Sequence, residues 1–182
     1  MTITETSLAG CLLLEQQHFH DNRGFFTELY VQQRFQQAGI TLPLVQDNLS
    51  QSKRGVIRGM HFQRNKPQGK LISVLKGEIY DVMVDIRPHS NTFGQWQGIY
   101  LSADKPRQLW LPPGFAHGFQ ALVDDTLVFY KTSSYYDAND EGAFNVFDTD
   151  LAITWPLQAA VLSAKDQQAP SFAAICRTLA EL

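Results

Sequence analysis

The chain has 182 residues, 44% hydrophobic and 12% aromatic, which suits one domain with a sizeable core and excludes a disordered chain. Its 15 Lys and Arg against 18 Asp and Glu leave a net charge of −3, with no basic excess for a nucleic-acid backbone. No apolar run approaches the roughly 18 residues of a membrane span, Met1–Gly10 lacks the features of a secretory signal, and two cysteines, Cys11 and Cys176, make no disulfide framework, although a bridge between them stays open. The expectation is a single domain over 1–182 in a reducing, cytoplasmic compartment, with neither nucleic acid nor membrane as partner.

In chain order, β-rich runs are punctuated by Gly, Pro, Asn and Asp. Strands are expected at Leu12–Gln17 and Phe25–Tyr30, then a helix at Val31–Ala38 with Val31, Phe35 and Ala38 on one side and Gly39 as its stop. Further strands are expected at Val45–Gln51, Val56–Gln63, Leu71–Lys76, Glu78–Ile86, Gly94–Leu101, Arg107–Leu111, Gly118–Val123 and Thr126–Ser133. A closing helix is expected over Ser171–Leu182, where Phe172, Ile175 and Leu179 share an apolar face. Many short strands at this spacing predict an antiparallel sandwich or barrel. Within Glu78–Ile86, Tyr80, Val82, Val84 and Ile86 share one face, and Asp81, Met83, Asp85 and Arg87 the other. The two carboxylates are either solvated there or line a polar cavity.

Three runs carry chemistry. In Arg58-Gly59-Met60-His61-Phe62-Gln63 a glycine interrupts a strand, which is unfavourable unless the backbone bends or something approaches closely. Arg58 and His61 would face opposite ways in a regular strand. Either Gly59 marks a bulge that brings them together, or only one enters the interior. In Pro112-Pro113-Gly114-Phe115-Ala116-His117-Gly118 the spacing resembles the second motif of cupin barrels, where a turn delivers an inward-facing His. A metal cupin also needs an H-x-H pair, and His61 is followed by Phe62-Gln63, so no metal is expected. The third set, Lys70, Asp81, Phe129-Tyr130-Lys131 and Ser163-Ala164-Lys165-Asp166, is weak residue by residue; Asp166 alone reads as a helix-capping or loop residue. No dinucleotide, P-loop, serine-elbow or dithiol motif is present.

Together the runs resemble the dTDP-4-dehydrorhamnose 3,5-epimerase family of RmlC-type sugar epimerases from about Phe19 to about Asp166. The match is carried by Asp21-Asn22-Arg23-Gly24-Phe25-Phe26-Thr27-Glu28, Gln46-Asp47-Asn48-Leu49-Ser50, Arg58 to Gln63, Gln68-Gly69-Lys70-Leu71, Phe93-Gly94-Gln95-Trp96, Pro112 to Phe119, Phe129-Tyr130-Lys131 and Ser163 to Asp166. The resemblance implies an all-β, cupin-type jelly-roll barrel with one or two short flanking helices, a homodimer, no cofactor, and a dTDP-sugar substrate, dTDP-4-keto-6-deoxyglucose, on the way to dTDP-L-rhamnose. It implies His61 as base, Asp166 as the carboxylate that orients it, Tyr130 as proton donor on the opposite face, tuned by Lys131 or Lys70, and Lys70 as stabiliser of the enolate oxygen. Asp81 would hold Lys70, bind the sugar, or form an ion pair without catalytic role. His117 would bond substrate or support a neighbour. Arg23 and Arg58 would bind the diphosphate, Phe26 and Tyr136 stack on thymine or sugar, and Glu28, Gln46 and Asn48 bond base or ribose; Phe19, Glu141 and Lys165 complete the substrate-binding set. Alternatives are a relative that inverts one centre or isomerises the keto group, and a non-catalytic sugar-binding cupin, which would be expected to lack His61 or Tyr130.

Overall fold

The computed structural model describes residues 1–179; residues 180–182, the end of the helix expected over Ser171–Leu182, lie outside the described residues. The elements in chain order are β1 (Thr2–Glu5), β2 (Leu12–Glu15), β3 (Phe19–Asp21), β4 (Gly24–Phe26), α1 (Gln32–Gln37), β5 (Gln46–Ser52), β6 (Ile57–Gln63), β7 (Lys70–Lys76) and β8 (Glu78–Asp85). They continue with β9 (Trp96–Ser102), β10 (Arg107–Leu111), β11 (Phe115–Ala121), β12 (Thr126–Thr132), β13 (Glu141–Ala143), α2 (Ala164–Gln167) and α3 (Phe172–Leu179).

Two antiparallel sheets face each other as the expected jelly roll. One has the order β1-β2-β10-β7-β12-β5, the other β13-β6-β11-β8-β9, and β3-β4 forms a separate hairpin. Period-two alternation sorts the side chains into three layers. Between the sheets lie Ile72, Val74, Ile79, Met83, Leu109, Leu111, Phe115, Phe119 and Val128, all buried. Outside the five-stranded sheet, Met60, Phe62, Val82 and Val84 pack under the C-terminal segment through Phe144, Val146, Leu151, Ile153 and the α3 residues Phe172, Ile175 and Leu179. Outside the six-stranded sheet, Leu14, Leu71 and Trp110 are covered by Phe35 of α1 and by Ile40.

Several expectations shift. Phe25–Tyr30 shortens to the hairpin strand β4, and Gly118–Val123 moves N-terminally to β11, because pairing of Phe115 with Asp85 extends the ladder to the Gly114 turn. Strands β1, β3 and β13 and helix α2 were not expected; each has only three or four residues, too few to show a period. Cys11 and Cys176 are both free thiols, so no bridge joins them. On β8 both carboxylates are fully buried: Asp81 points between the sheets, and Asp85 is bonded by Arg87, Ser90 and Thr92.

Candidate active site

The interior opens into a cavity of about 550 Å³ whose walls include Arg58, His61, Lys70, His117, Tyr130, Tyr136, Glu141, Lys165 and Asp166. A second space of about 290 Å³ shares His61, Lys70, Tyr130, Tyr136 and Glu141 and adds Gln46 and Asn48.

Gly59 decides how β6 contributes. His117 pairs with His61 and Phe119 with Arg58, so three steps on β6 are matched by two on β11. The extra residue is a bulge, and it turns Arg58 and His61 into the same cavity. Of the two alternatives left by the sequence, the bulge is the one realised. Gly59 has φ +142°, and a Cβ there would lie 2.5 Å from Gly118 Cα. Only glycine at both positions lets the two backbones approach so closely.

His61 Nε2 lies 2.7 Å from Asp166 Oδ1. If Nε2 carries the proton it donates to the carboxylate, and Nδ1 is left as the basic nitrogen. Asp166 sits in the first turn of α2, where its N–H donates to Ser163 Oγ at the N-cap. Burial raises the Asp166 pKa, but hydrogen bonds with His61, Ser163 and the Gly59 backbone outweigh it and hold the carboxyl below its ordinary value. An ionised carboxylate therefore stands behind the imidazole.

A second pair lies deeper. His117 Nε2 is 2.8 Å from Asp81 Oδ2, and both residues are buried. Asp81 thus bonds His117 rather than Lys70, because Asp81 faces Phe119 across the β8–β11 ladder, two residues from His117. Lys70 is buried, and desolvation pulls its amine down to about 8, against the opposing pull of the Asp81 and Glu141 charges. Burial also raises the Tyr130 phenol, with Arg58 lowering it and Glu141 raising it. Lys131, one of the two expected tuners, points away: it bonds Asp47 Oδ1 at 2.5 Å and sits over the Tyr30 ring.

At the mouth, Tyr136 Oη donates to Glu141 Oε2 at 2.8 Å, and Lys165 Nζ donates to the same oxygen. Gln46 Nε2 donates to Asn48 Oδ1 at 2.8 Å and accepts the Tyr136 N–H through Oε1. Arg58 is held by Ser52 Oγ and the Gln51 carbonyl, both at 3.0 Å.

Four expected substrate contacts are not brought to this cavity. Phe19, Arg23 and Phe26 ride the exposed β3–β4 hairpin, where Arg23 pairs with Asp21, and Glu28 pairs with Arg34 at 2.7 Å. Sequence reasoning missed Ser163 as cap of the helix carrying Asp166, although the Ser-x-x-Asp spacing is a capping signature. It also missed Ser52, which anchors Arg58, and the wall residues Val161 and Leu162, which no motif marks. Among the described residues, no three His, Cys, Asp or Glu side chains converge as a metal site.

The model of the dTDP-4-dehydrorhamnose 3,5-epimerase family matches residues 5–174. The chain is 48% identical over 173 residues to the dTDP-4-dehydrorhamnose 3,5-epimerase of Salmonella typhimurium, covering 93% of this chain and 94% of that one. It superposes with TM-score 0.95 and 44% identity on a dTDP-6-deoxy-D-glucose-3,5-epimerase of Legionella pneumophila in complex with dTDP-4-keto-L-rhamnose, over 98% and 96% of the two chains. A 3′-monoepimerase of Streptomyces bikiniensis, in complex with dTDP-quinovose, is similar at TM-score 0.90 and 34% identity, over 96% and 90%.

Proposed function

The chain belongs to the dTDP-4-dehydrorhamnose 3,5-epimerase family, and from that membership we infer that it inverts carbons 3 and 5 of dTDP-4-keto-6-deoxyglucose to give dTDP-4-keto-L-rhamnose, as an isomerase of dTDP-rhamnose biosynthesis. The observation that carries the catalytic assignment is the placement of His61 on one sheet, backed by Asp166 of α2, and of the partly buried Tyr130 phenol on the other sheet, around one cavity.

The ketone at carbon 4 acidifies the hydrogens on its two neighbours. His61, backed by the ionised Asp166, removes one, and the positive imidazolium is stabilised by that carboxylate. The negative charge moves to the carbon-4 oxygen, where the Lys70 ammonium receives it. Tyr130 returns a proton from the opposite wall, so the centre inverts. Its raised pKa suits this role, because the phenol stays protonated at neutral pH. His117, held by Asp81, bonds the substrate with its other ring nitrogen. The mechanism calls on no metal and no cofactor.

Arg58 binds the diphosphate, Tyr136 stacks on the base, and Gln46 and Asn48 bond base or ribose; Glu141 and Lys165 close the mouth. Phe19, Arg23, Phe26 and Glu28, which do not line the cavity of their own chain, serve the nucleotide of a second copy in a homodimer, the first three from the exposed β3–β4 hairpin. The free thiols fit a reducing, cytoplasmic compartment, and no described helix is long and apolar enough to cross a membrane.

Proton NMR of dTDP-4-keto-6-deoxyglucose with the protein in heavy water tests the reading. Deuterium is expected at both carbons 3 and 5, with the L-configured product. Exchange and inversion at one carbon alone would make the protein a single-centre epimerase, and binding without exchange would make it a sugar-binding cupin.

A further inference from the structure

Strand β5 presents Gln46, Asn48, Ser50 and Ser52 in alternation on its inward face, with Asp47, Leu49 and Gln51 outward. Three of these four polar side chains are engaged. Gln46 and Asn48 bond each other, and Ser52 Oγ accepts from Arg58 Nε. Ser50 differs: its Oγ is buried and has no hydrogen-bond partner among the described residues. A buried hydroxyl without a partner is disfavoured and calls for an explanation. Ser50 lines the 550 Å³ cavity together with Arg58. It also stands one inward position from Ser52, roughly 7 Å along the strand from the group that anchors Arg58.

We propose that Ser50 is a further substrate-binding residue, its hydroxyl donating to a non-bridging oxygen of the diphosphate that Arg58 holds. Arg58 uses two N–H groups on Ser52 and Gln51 and keeps the others of its planar fork for an anion. The positive charge beside Ser50 selects an anionic oxygen, and a hydroxyl donating to such an oxygen forms a charge-assisted bond. Ser50 touches the ligand away from the reacting carbons, so it contributes to binding and not to proton transfer. The assignment rests on the reading that a dTDP-sugar is the substrate.

The test is Ser50→Ala in the full chain, titrated with dTDP and with thymidine, which lacks the phosphates. Loss of a hydrogen bond to a charged group weakens dTDP by on the order of 10- to 100-fold. Thymidine affinity and kcat stay unchanged, KM for the keto sugar rises, and Ser50→Thr, which keeps a hydroxyl, restores dTDP binding. The melting temperature does not fall, because no protein partner is orphaned. Unchanged dTDP affinity, an equal loss for thymidine, or a fall in Tm would each overturn the proposal. A wild-type chain that binds no dTDP would overturn the functional reading as well, whereas a wild type that binds dTDP beside an unaffected Ser50→Ala removes this inference alone.

Discussion

His61 and Tyr130 stand on opposite walls of one cavity, His61 on β6 of the five-stranded sheet and Tyr130 on β12 of the six-stranded sheet. A planar enolate held between them meets a base on one face and an acid on the other. The barrel itself therefore supplies the stereochemical difference that inversion needs.

His61→Asn removes the base and leaves the nucleotide contacts in place. Turnover is expected to fall by on the order of 10² to 10⁴, deuterium uptake by at least as much, and dTDP affinity to stay unchanged in a binding titration. Asp166→Asn, which keeps the shape but loses the charge behind the ring, falls in the same direction.

Tyr130→Phe acts after the enolate forms. The variant is expected to exchange deuterium while failing to invert, because His61 returns a solvent-derived proton to the face it came from. Normal product formation by this variant, followed by NMR, would remove Tyr130 from the acid role.

The Lys70 pKa of about 8 gives a pH prediction. Burial favours the neutral amine, so the stabilising ammonium is present below pH 8 and is lost as pH rises through it. The kcat/KM profile is expected to bend downward near pH 8. Lys70→Arg, charged throughout, moves that limb to higher pH, and Lys70→Met loses on the order of 10² to 10³ in kcat at every pH.

Gly59→Ala tests the bulge. The added methyl would lie 2.5 Å from Gly118 Cα, at a φ that disfavours any side chain. A cost of about 1–3 kcal/mol or more is expected, read as a Tm lowered by several degrees, with activity lost as His61 shifts.

The hairpin, which does not line the cavity of its own chain, predicts complementation. Arg23→Ala lacks a working hairpin and His61→Asn a working cavity, so each alone is impaired. Co-refolding the two should rebuild competent sites in the mixed dimers, about a quarter of all sites at equal mixing. Activity no greater than the sum of the separate variants would mean that each hairpin serves only its own chain.

Much of this was legible because long strands announce themselves. On β8 the side chains alternate between two faces over eight residues, and the expected strand agrees with the structure to within a residue or so. Three-residue strands such as β3 and β13 have no period to read; their pairing decides them. In the site, the family motifs marked His61, Lys70, Tyr130 and Asp166, which the fold gathers around one cavity. The motifs did not say that Asp81 would take His117 as its partner. That depends on the β8–β11 register, 36 residues apart in the chain. Nor did they place Arg23 on an exposed hairpin, since a binding motif does not say whose site it serves.

The β6 bulge does more than aim two side chains. In an unbroken sheet each backbone amide is committed to a neighbouring strand; at a bulge one is set free. Here the Gly59 amide joins the His61 and Ser163 side chains in holding the Asp166 carboxylate ionised. A strand one residue shorter could also aim an arginine and a histidine the same way, since a spacing of two needs no bulge. It would have no amide to spare. The bulge thus adds a main-chain hydrogen bond to those of the His61 and Ser163 side chains that keep Asp166 ionised, and that share is one no substitution of a catalytic side chain removes.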